Sequence, residues 1–209
     1  PSFTDVRPYA WIGFNTRTHY TYIAEIHKDS ELLEDFEPDI RRRIKKALEL
    51  DHELIIDSST ENISYAWDLE QLSFDRQKFS ISSFGKEDLI SLVRTLEEND
   101  SAEVFTMIHT GIPVASVVII LDQAKSVAYY WLAGADKDYL STGLNQLLIQ
   151  RIVERYVSSG FKKFDMVGAD TDTIARYKST FNFPLVPMYS VSKSRGLARL
   201  GMQVKNLIR

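Results

Sequence analysis

The amino-acid sequence predicts an α/β protein in which helices cover a mixed β-sheet. The hydrophobic pattern from about residue 53 onward alternates between the periods of strands and helices, in the order β, α, α, β, β, β, α, β, α, β. Hydrophobic residues make up 44% of the 209 residues, which is enough for a sizeable core. Strands before, between and after helices are typical of helices packed on a mixed sheet.

The N-terminal part is predicted to form a pair of strands. Residues 7–26 are rich in aromatic and β-branched types, and Gly13 and Asn15 indicate a turn between the two strands. An acidic stretch follows, and a helix is predicted over 38–50, with Pro38 in its first turn.

We expect a boundary near residues 27–37, between the strand pair and the rest of the chain. It would separate residues 1–30, interpreted as the remnant of a preceding half, from a domain over 31–192. A basic amphipathic helix is expected over residues 193–209.

The middle and the C-terminal part supply the remaining elements. Thr60 is expected to cap one helix, Thr110 and Gly111 mark the turn of a β-hairpin, and Gly160 ends a long amphipathic helix. Strands are predicted at 52–59, 103–121 (the hairpin), 126–136, 161–170 and 184–193, and helices at 60–76, 86–99, 143–160 and 173–182.

Composition excludes several kinds of site. The chain has no cysteine, which rules out disulfides and thiol nucleophiles, and its four histidines have no metal-ligand spacing. The net charge of −4 gives no general field for nucleic acid, so that any such contact must be a local patch. The longest apolar run, at 112–121, is about half of a membrane helix. With no signal peptide visible, we expect a cytoplasmic protein.

Two adjacent motifs carry a family resemblance. "FDMVGAD" ends a predicted strand, and "RYKSTFN" follows in a short helix that places Tyr177 beside Lys178. Together with the order of elements and the basic helix "IRRRIKKA", these motifs resemble the GNAT acyltransferase superfamily, over about residues 38–192. The closest branch is that of the Fem-type peptidoglycan-bridge aminoacyltransferases, in which an aromatic-Lys-x-x-Phe-Gly run ends this helix.

The resemblance implies an N-acyltransferase. An amine of a small molecule or a cell-wall precursor would attack the carbonyl of an acyl-CoA thioester or of an aminoacyl-tRNA ester. Lys178 would stabilise the tetrahedral oxyanion, or Tyr177 would protonate the leaving thiolate. The alternative is that Tyr177 packs on the sheet edge and Lys178 is solvated. Because adjacent helical residues point about 100° apart, only one can face the substrate fully, and we favour Lys178.

The resemblance also implies where the donor binds. In this superfamily, small residues such as those of "LAGAD" at 132–136 open the sheet for a pantetheine arm, although an ordinary bulge is the alternative. "STGLNQ" at 141–146 begins a helix whose amides would hold phosphates, although a simple cap is the alternative. The candidate cofactor-binding residues are Leu132, Ala133, Gly134, Ser141, Thr142, Gly143, Leu144 and Asn145.

Most GNAT acetyltransferases carry Gln/Arg-x-x-Gly-x-Gly/Ala before the long helix, and only Gly143 of "LSTGLNQ" fits that pattern. A catalytically inactive module that binds a ligand or a partner is therefore the second functional hypothesis.

Candidate substrate-binding residues are Tyr130, Asp165 and Arg176. Asp165 and Asp170 bracket the strand end, where either carboxylate would act as a general base or would instead fix a turn or a neighbouring lysine. Five of the six residues at 41–46 are positively charged. They form a patch for tRNA or a nucleotide-linked sugar, or a solvated face balanced by the acidic run before it.

Overall fold

The computed structural model describes residues 5–27, 32–77 and 85–193. Its strands are β1 (Asn15–Glu25), β2 (Glu53–Ile56), β3 (Ala102–His109), β4 (Ile112–Asp122), β5 (Val127–Ala135), β6 (Lys163–Asp165) and β7 (Leu185–Ser192). Its helices are α1 (Arg7–Trp11), α2 (Leu32–Asp35), α3 (Pro38–Ala47), α4 (Thr60–Gln77), α5 (Lys86–Glu97), α6 (Leu144–Ser158) and α7 (Asp172–Ser179), with a 3₁₀ turn at Lys137–Tyr139.

The strands of the described ranges form one sheet in the order β2-β3-β4-β5-β6-β1-β7. Neighbouring strands are antiparallel except for β5 and β6, which run parallel. The parallel pair requires a crossover, and helix α6 supplies it. The sheet is therefore mixed, which confirms the predicted fold class.

Helices cover both faces of the sheet, because alternate strand residues point to opposite sides. On one face, Ile44 of α3 and Leu147 of α6 belong to the same core cluster as Val117 of β4. On the other face, Ile63 of α4 packs in a second cluster with Val118, the next residue of β4. The core thus has two layers, one on each side of β4.

The predicted pair of N-terminal strands is wrong. Residues Arg7–Trp11 form a helical turn, with Pro8 near its start, and only Asn15–Glu25 form a strand. This strand, β1, lies between β6 and β7 and pairs with both, so it is part of the same sheet as the later strands. The helix expected over 193–209 lies outside the described residues, apart from Lys193.

Candidate active site

The sheet opens between β5 and β6. These strands pair only at Val127, Ala128 and Tyr129, and the last pair joins Tyr129 to Asp165, where β6 ends. Strand β5 continues to Ala135. The opening between residues 130–135 of β5 and residues 165–170, which we call the cleft, leaves one edge of β5 without a strand partner in the described part of the chain.

A β-bulge lies at the start of this opening. The register of β4 and β5 shifts between Val118 and Ile119, which pair with Leu132 and Tyr130, so that Trp131 has no opposite residue. A bulge bends its strand and increases the local twist. Both interpretations of "LAGAD", the bulge and the opening, therefore apply to neighbouring positions of β5.

Helix α4 packs closely against β5 beside the cleft. A Cβ atom at Gly134 would lie only 2.2 Å from the backbone nitrogen of Glu70, so the glycine permits the close approach of helix and strand. One turn later, the hydroxyl of Ser73 accepts a hydrogen bond from the amide of Ala135 (3.2 Å). Packing against α4 thus accounts for the small residue at Gly134.

Glu70 is a buried carboxyl group on this side of the sheet. Its residue is 8% exposed, and Oε2 has no hydrogen-bond partner among the described residues. Burial disfavours the charged form and raises the pKa of Glu70 to about 7. Nothing in the sequence pattern distinguished this glutamate from the exposed ones.

The opposite wall of the cleft is held by Lys178. Its Nζ donates hydrogen bonds to the carbonyl oxygens of Met166 (2.5 Å), Val167 and Gly168 (2.9 Å). Val167 and Gly168 have φ angles of 44° and 70°, which explains why β6 ends earlier than predicted. The lysine is 8% exposed rather than solvated. Its three N–H groups match the three carbonyls, so that it fixes the shape of this wall.

Burial also changes the acidity of Lys178. Desolvation lowers the pKa of Lys178 to about 8, and the nearby charge of Asp165 acts in the opposite direction. The ring of Tyr130 lies on the same side, with its centroid 5.9 Å from Nζ. The structure therefore brings Tyr130, Asp165 and Lys178 together where β5 and β6 separate.

Asp165 is hydrogen-bonded within the wall. It is 5% exposed, and its Oδ1 accepts hydrogen bonds from the hydroxyl of Thr21 (2.5 Å) and the amide of Val167 (2.8 Å). This geometry is that of an aspartate that fixes a turn. Thr21 is a residue that the sequence did not point to, because it lies on β1, far away along the chain.

Tyr177 reaches the start of α6. Its hydroxyl accepts a hydrogen bond from Nδ2 of Asn145 (2.8 Å), and its ring packs edge-on against Phe181. Burial raises the pKa of Tyr177 well above its ordinary value, which makes the phenol a weaker acid. Arg176 lies on the solvent side of α7, where it pairs with Asp172 (2.9 Å).

The start of α6 combines a cap with a close helix contact. The hydroxyl of Thr142 accepts a hydrogen bond from the amide of Leu144 (3.3 Å), as in the cap alternative, and Ser141 is exposed. Gly143 has a φ of 87°, and a Cβ atom there would lie 2.3 Å from the carbonyl oxygen of Arg43. The basic helix α3 therefore packs directly on the N-terminus of α6.

The charges of α3 are only partly balanced by its own residues. Asp39 pairs with Arg42 (2.5 Å) and Arg43 (2.8 Å) on the same helix. Arg41, Lys45 and Lys46 are exposed. Positive side chains and the positive end of the α6 dipole thus belong to adjoining helices.

Within residues 5–27, 32–77 and 85–193, no group of three or more His, Asp or Glu side chains is placed to hold a metal ion. None of the described helices has the length and hydrophobicity that a membrane span needs.

Comparisons with known proteins agree with this geometry. The family model described as an acetyltransferase (GNAT) domain matches residues 35–179. No curated protein matches the chain.

Among solved structures, FemX is similar with a TM-score of 0.70 and 14% identity, over 95% of this chain and 70% of FemX. L-PGS from Bacillus licheniformis has a TM-score of 0.64 and 15% identity, over 98% of this chain and 69% of its own. A predicted acetyltransferase from Clostridium acetobutylicum, solved with acetyl-CoA, has a TM-score of 0.54 and 9% identity. The match covers 72% of this chain and 98% of that protein's chain.

At these identities the solved structures establish only the fold, which is the same mixed sheet flanked by helices. The family match covers more than half of the chain and includes α3, the bulged strand β5, α6 and the helix of Tyr177 and Lys178. The chain therefore belongs to the GNAT acetyltransferase domain family, and it is an acyltransferase of the GNAT type.

Proposed function

We propose that this protein transfers an acyl group from a coenzyme A thioester to a primary amine in the cleft. The observation that carries the proposal is the early end of the β5–β6 pairing at Tyr129 and Asp165, while β5 continues to Ala135. Backbone N–H and C=O groups on an open strand edge seek partners. The amides of a pantetheine arm have the spacing and chemistry to pair with such an edge.

The start of α6 supports an anionic donor. The first amides of a helix have no acceptor within the helix, and the helix dipole favours negative charge there. The exposed cations Arg41, Lys45 and Lys46 on the adjoining helix α3 add attraction for phosphate groups. We therefore assign the phosphates of coenzyme A to residues 141–146, beside α3, and its acyl end to the region of Tyr130.

Chemistry at the acyl carbonyl requires positive charge where the oxyanion develops. Lys178 supplies that charge in the cleft wall and, in our proposal, exchanges one of its carbonyl contacts for the oxyanion. The amine of a small molecule or a cell-wall precursor attacks the thioester carbon, the C–S bond breaks, and coenzyme A leaves as the thiol. The hydrogen bond from Asn145 to Tyr177 joins α6 to α7 beside this site.

A thermal-shift titration tests the donor. Coenzyme A at about 100 times its dissociation constant stabilises a protein by about 2.7 kcal/mol, which raises Tm by about 5 to 10 °C at this size. Pantetheine, which lacks the nucleotide and its phosphates, serves as the control and should give a smaller shift.

Two outcomes would contradict the assignment. If neither coenzyme A nor acetyl-CoA shifts Tm, and aminoacyl-tRNA supports salt-sensitive transfer to an amine, the donor is the tRNA ester. If no donor binds, the protein is the inactive ligand-binding module that the incomplete phosphate motif suggests.

A further inference from the structure

Three side chains, two on neighbouring strands and one on the segment after β6, form a second cluster of chemical interest. Nδ1 of His19 lies 2.5 Å from Oδ2 of Asp170, and Nε2 of the same ring lies 3.1 Å from Oγ of Ser190. His19 belongs to β1 and Ser190 to β7, and Asp170 is the last residue of the cleft wall, residues 165–170. A serine, a histidine and an aspartate in this order of contacts have the connectivity of a nucleophile, a base and the group that orients the base.

The hydrogen bonds favour one tautomer of His19. Asp170 is itself positioned, because its Oδ1 accepts the backbone N–H of Tyr20 (2.9 Å). The hydrogen bond from His19 is the main reason that the pKa of Asp170 lies below its ordinary value, so the carboxylate is charged at neutral pH. A charged carboxylate at Nδ1 holds the ring proton there, which leaves the Nε2 lone pair for the Ser190 hydroxyl.

A cation lies beside the serine. Arg17 and Ser190 are paired across β1 and β7, and His19 is two residues further along β1, so Arg17, His19 and Ser190 share one face of the sheet. Directly opposite residues in a sheet have Cβ atoms about 5 Å apart. Arg17 is exposed, and a side chain of its length at the position opposite Ser190 can extend to an oxyanion formed there.

We propose that His19, Asp170 and Ser190 form a second acyl-handling site, which hydrolyses activated esters through an acyl-serine intermediate. The Ser190 hydroxyl attacks the ester carbonyl, its proton passes to Nε2 of His19, and the alcohol leaves with that proton. Water then attacks the acyl-serine, His19 accepts the proton of the water and returns one to Oγ, and the carboxylic acid is released. The sum is ester plus water to acid plus alcohol, with no other reactant.

This activity is distinct from amine acylation in the cleft. The site uses the face of β1 and β7, and it requires neither the open edge of β5 nor the start of α6. Thr21, two residues along from His19 on the same face of β1, already binds Asp165 of the cleft wall. The two sites therefore share β1 and the segment 165–170, but no side chain takes part in both reactions.

The experiment measures hydrolysis of 4-nitrophenyl acetate and labelling by a fluorophosphonate probe, followed by mass spectrometry of the peptides. We expect the label on Ser190, and a loss of hydrolysis on the order of 100-fold in Ser190→Ala and in His19→Ala. Asp170→Asn keeps the acceptor for the Tyr20 amide and should lower kcat with KM unchanged, because only the orientation and charge support of His19 are lost.

Ser192→Ala is the matched control. Ser192 lies on the same strand and the same face as Ser190 and is likewise exposed, but it is paired with Asn15. The control variant should keep both hydrolysis and labelling. The proposal is overturned if the probe labels no residue or another one, if Ser190→Ala keeps its activity, or if Ser192→Ala loses as much. Circular dichroism and Tm identify any variant that fails to fold. In that case, the wild-type protein is quenched with acid during turnover, and mass spectrometry shows whether Ser190 carries the acyl group.

Discussion

At the scale of single residues, the cleft depends on a buried ammonium group. Burying a cation costs free energy unless its donors are satisfied, and the three carbonyls of residues 166–168 satisfy those of Lys178. In return, the ammonium neutralises three carbonyl dipoles that converge where the chain adopts left-handed conformations. In the proposed mechanism, the same positive charge stabilises the oxyanion.

Replacing Lys178 should therefore affect catalysis more than binding. We expect Lys178→Ala to lower kcat about 100-fold with little change in KM, as for the loss of an oxyanion donor. Tyr177→Phe is the matched neighbour, which loses only the hydrogen bond from Asn145, and it should be nearly silent. Steady-state kinetics with acetyl-CoA and an amine measure both. Full activity of Lys178→Ala with an inactive Tyr177→Phe would reverse the assignment and make the tyrosine the acid.

Glu70 gives the stability a pH dependence of unusual sign. Its pKa is about 7 in the folded state and near 4.5 in the unfolded chain, so the folded state holds the extra proton between these values. Stability is therefore highest below pH 4.5 as far as this group is concerned, falls as pH rises from 4.5 to 7, and stays reduced above 7. The size of the effect is about 3 kcal/mol.

Glu70→Gln should remove this dependence. Urea unfolding should show the variant more stable than the wild type at pH 8 and similar at pH 5, because the amide carries no charge to desolvate. Glu49 is exposed, and Glu49→Gln serves as the control. It should leave the difference in the free energy of unfolding between pH 5 and pH 8 as it is in the wild type. Equal effects of both substitutions would show that Glu70 is ionised without penalty.

At the scale of elements, the contact of α3 with α6 shapes the proposed phosphate site. Two features require a glycine at position 143: its φ is 87°, and the carbonyl of Arg43 occupies the space of a Cβ atom. Gly160, at the other end of α6, has a φ of 81° but nothing within 4 Å of a Cβ atom. A comparison of the two positions therefore distinguishes the cost of the left-handed conformation, which both share, from the cost of steric overlap, which only Gly143 has.

Alanine at these two positions should give different losses. Gly160→Ala should cost about 1 kcal/mol, from the left-handed conformation alone. Gly143→Ala should cost about 3 kcal/mol, because α3 must also move. Calorimetry should show decreases in Tm of about 2 to 4 °C and about 6 to 12 °C, respectively. Equal decreases in Tm would mean that α3 moves away from the new Cβ atom without a loss of stability.

At the scale of the whole molecule, the first strand completes the sheet. β1 pairs with β6 through three residue pairs and with β7 through eight, and Thr21, Ala24 and Ile26 are buried. Without β1, two strand edges and part of the core would be exposed to water.

Truncation tests this role. Removal of residues 1–13 deletes α1, which buries none of its residues, and should leave Tm and solubility almost unchanged. Removal of residues 1–27 also deletes β1 and should give an aggregated or unfolded chain, which size-exclusion chromatography and circular dichroism would detect. A soluble, cooperatively folded product of the longer truncation would show that residues 1–30 are dispensable, as expected for a remnant of another half.

The sequence by itself determined the order and type of the elements from β2 onward and the different partners of the adjacent residues Tyr177 and Lys178. These features depend on local patterns: the hydrophobic period of each segment, its turn residues, and the 100° step of a helix. The same patterns, through the family resemblance, pointed to the cleft and to acyl transfer.

Only the tertiary structure decided the position of β1, the need for Gly143, the burial of Glu70 and the three carbonyl partners of Lys178. Each depends on groups that are distant along the chain, as Thr21 and Asp165 are with a separation of 144 residues. A local pattern contains no information about such partners, since an exposed and a buried glutamate, or a free and a bound lysine, have the same neighbours in sequence. Packing of α3, α4 and β1 around the cleft selects among these states, because burial of a charged group costs free energy unless the group finds partners, as Lys178 does, or takes up a proton, as Glu70 does.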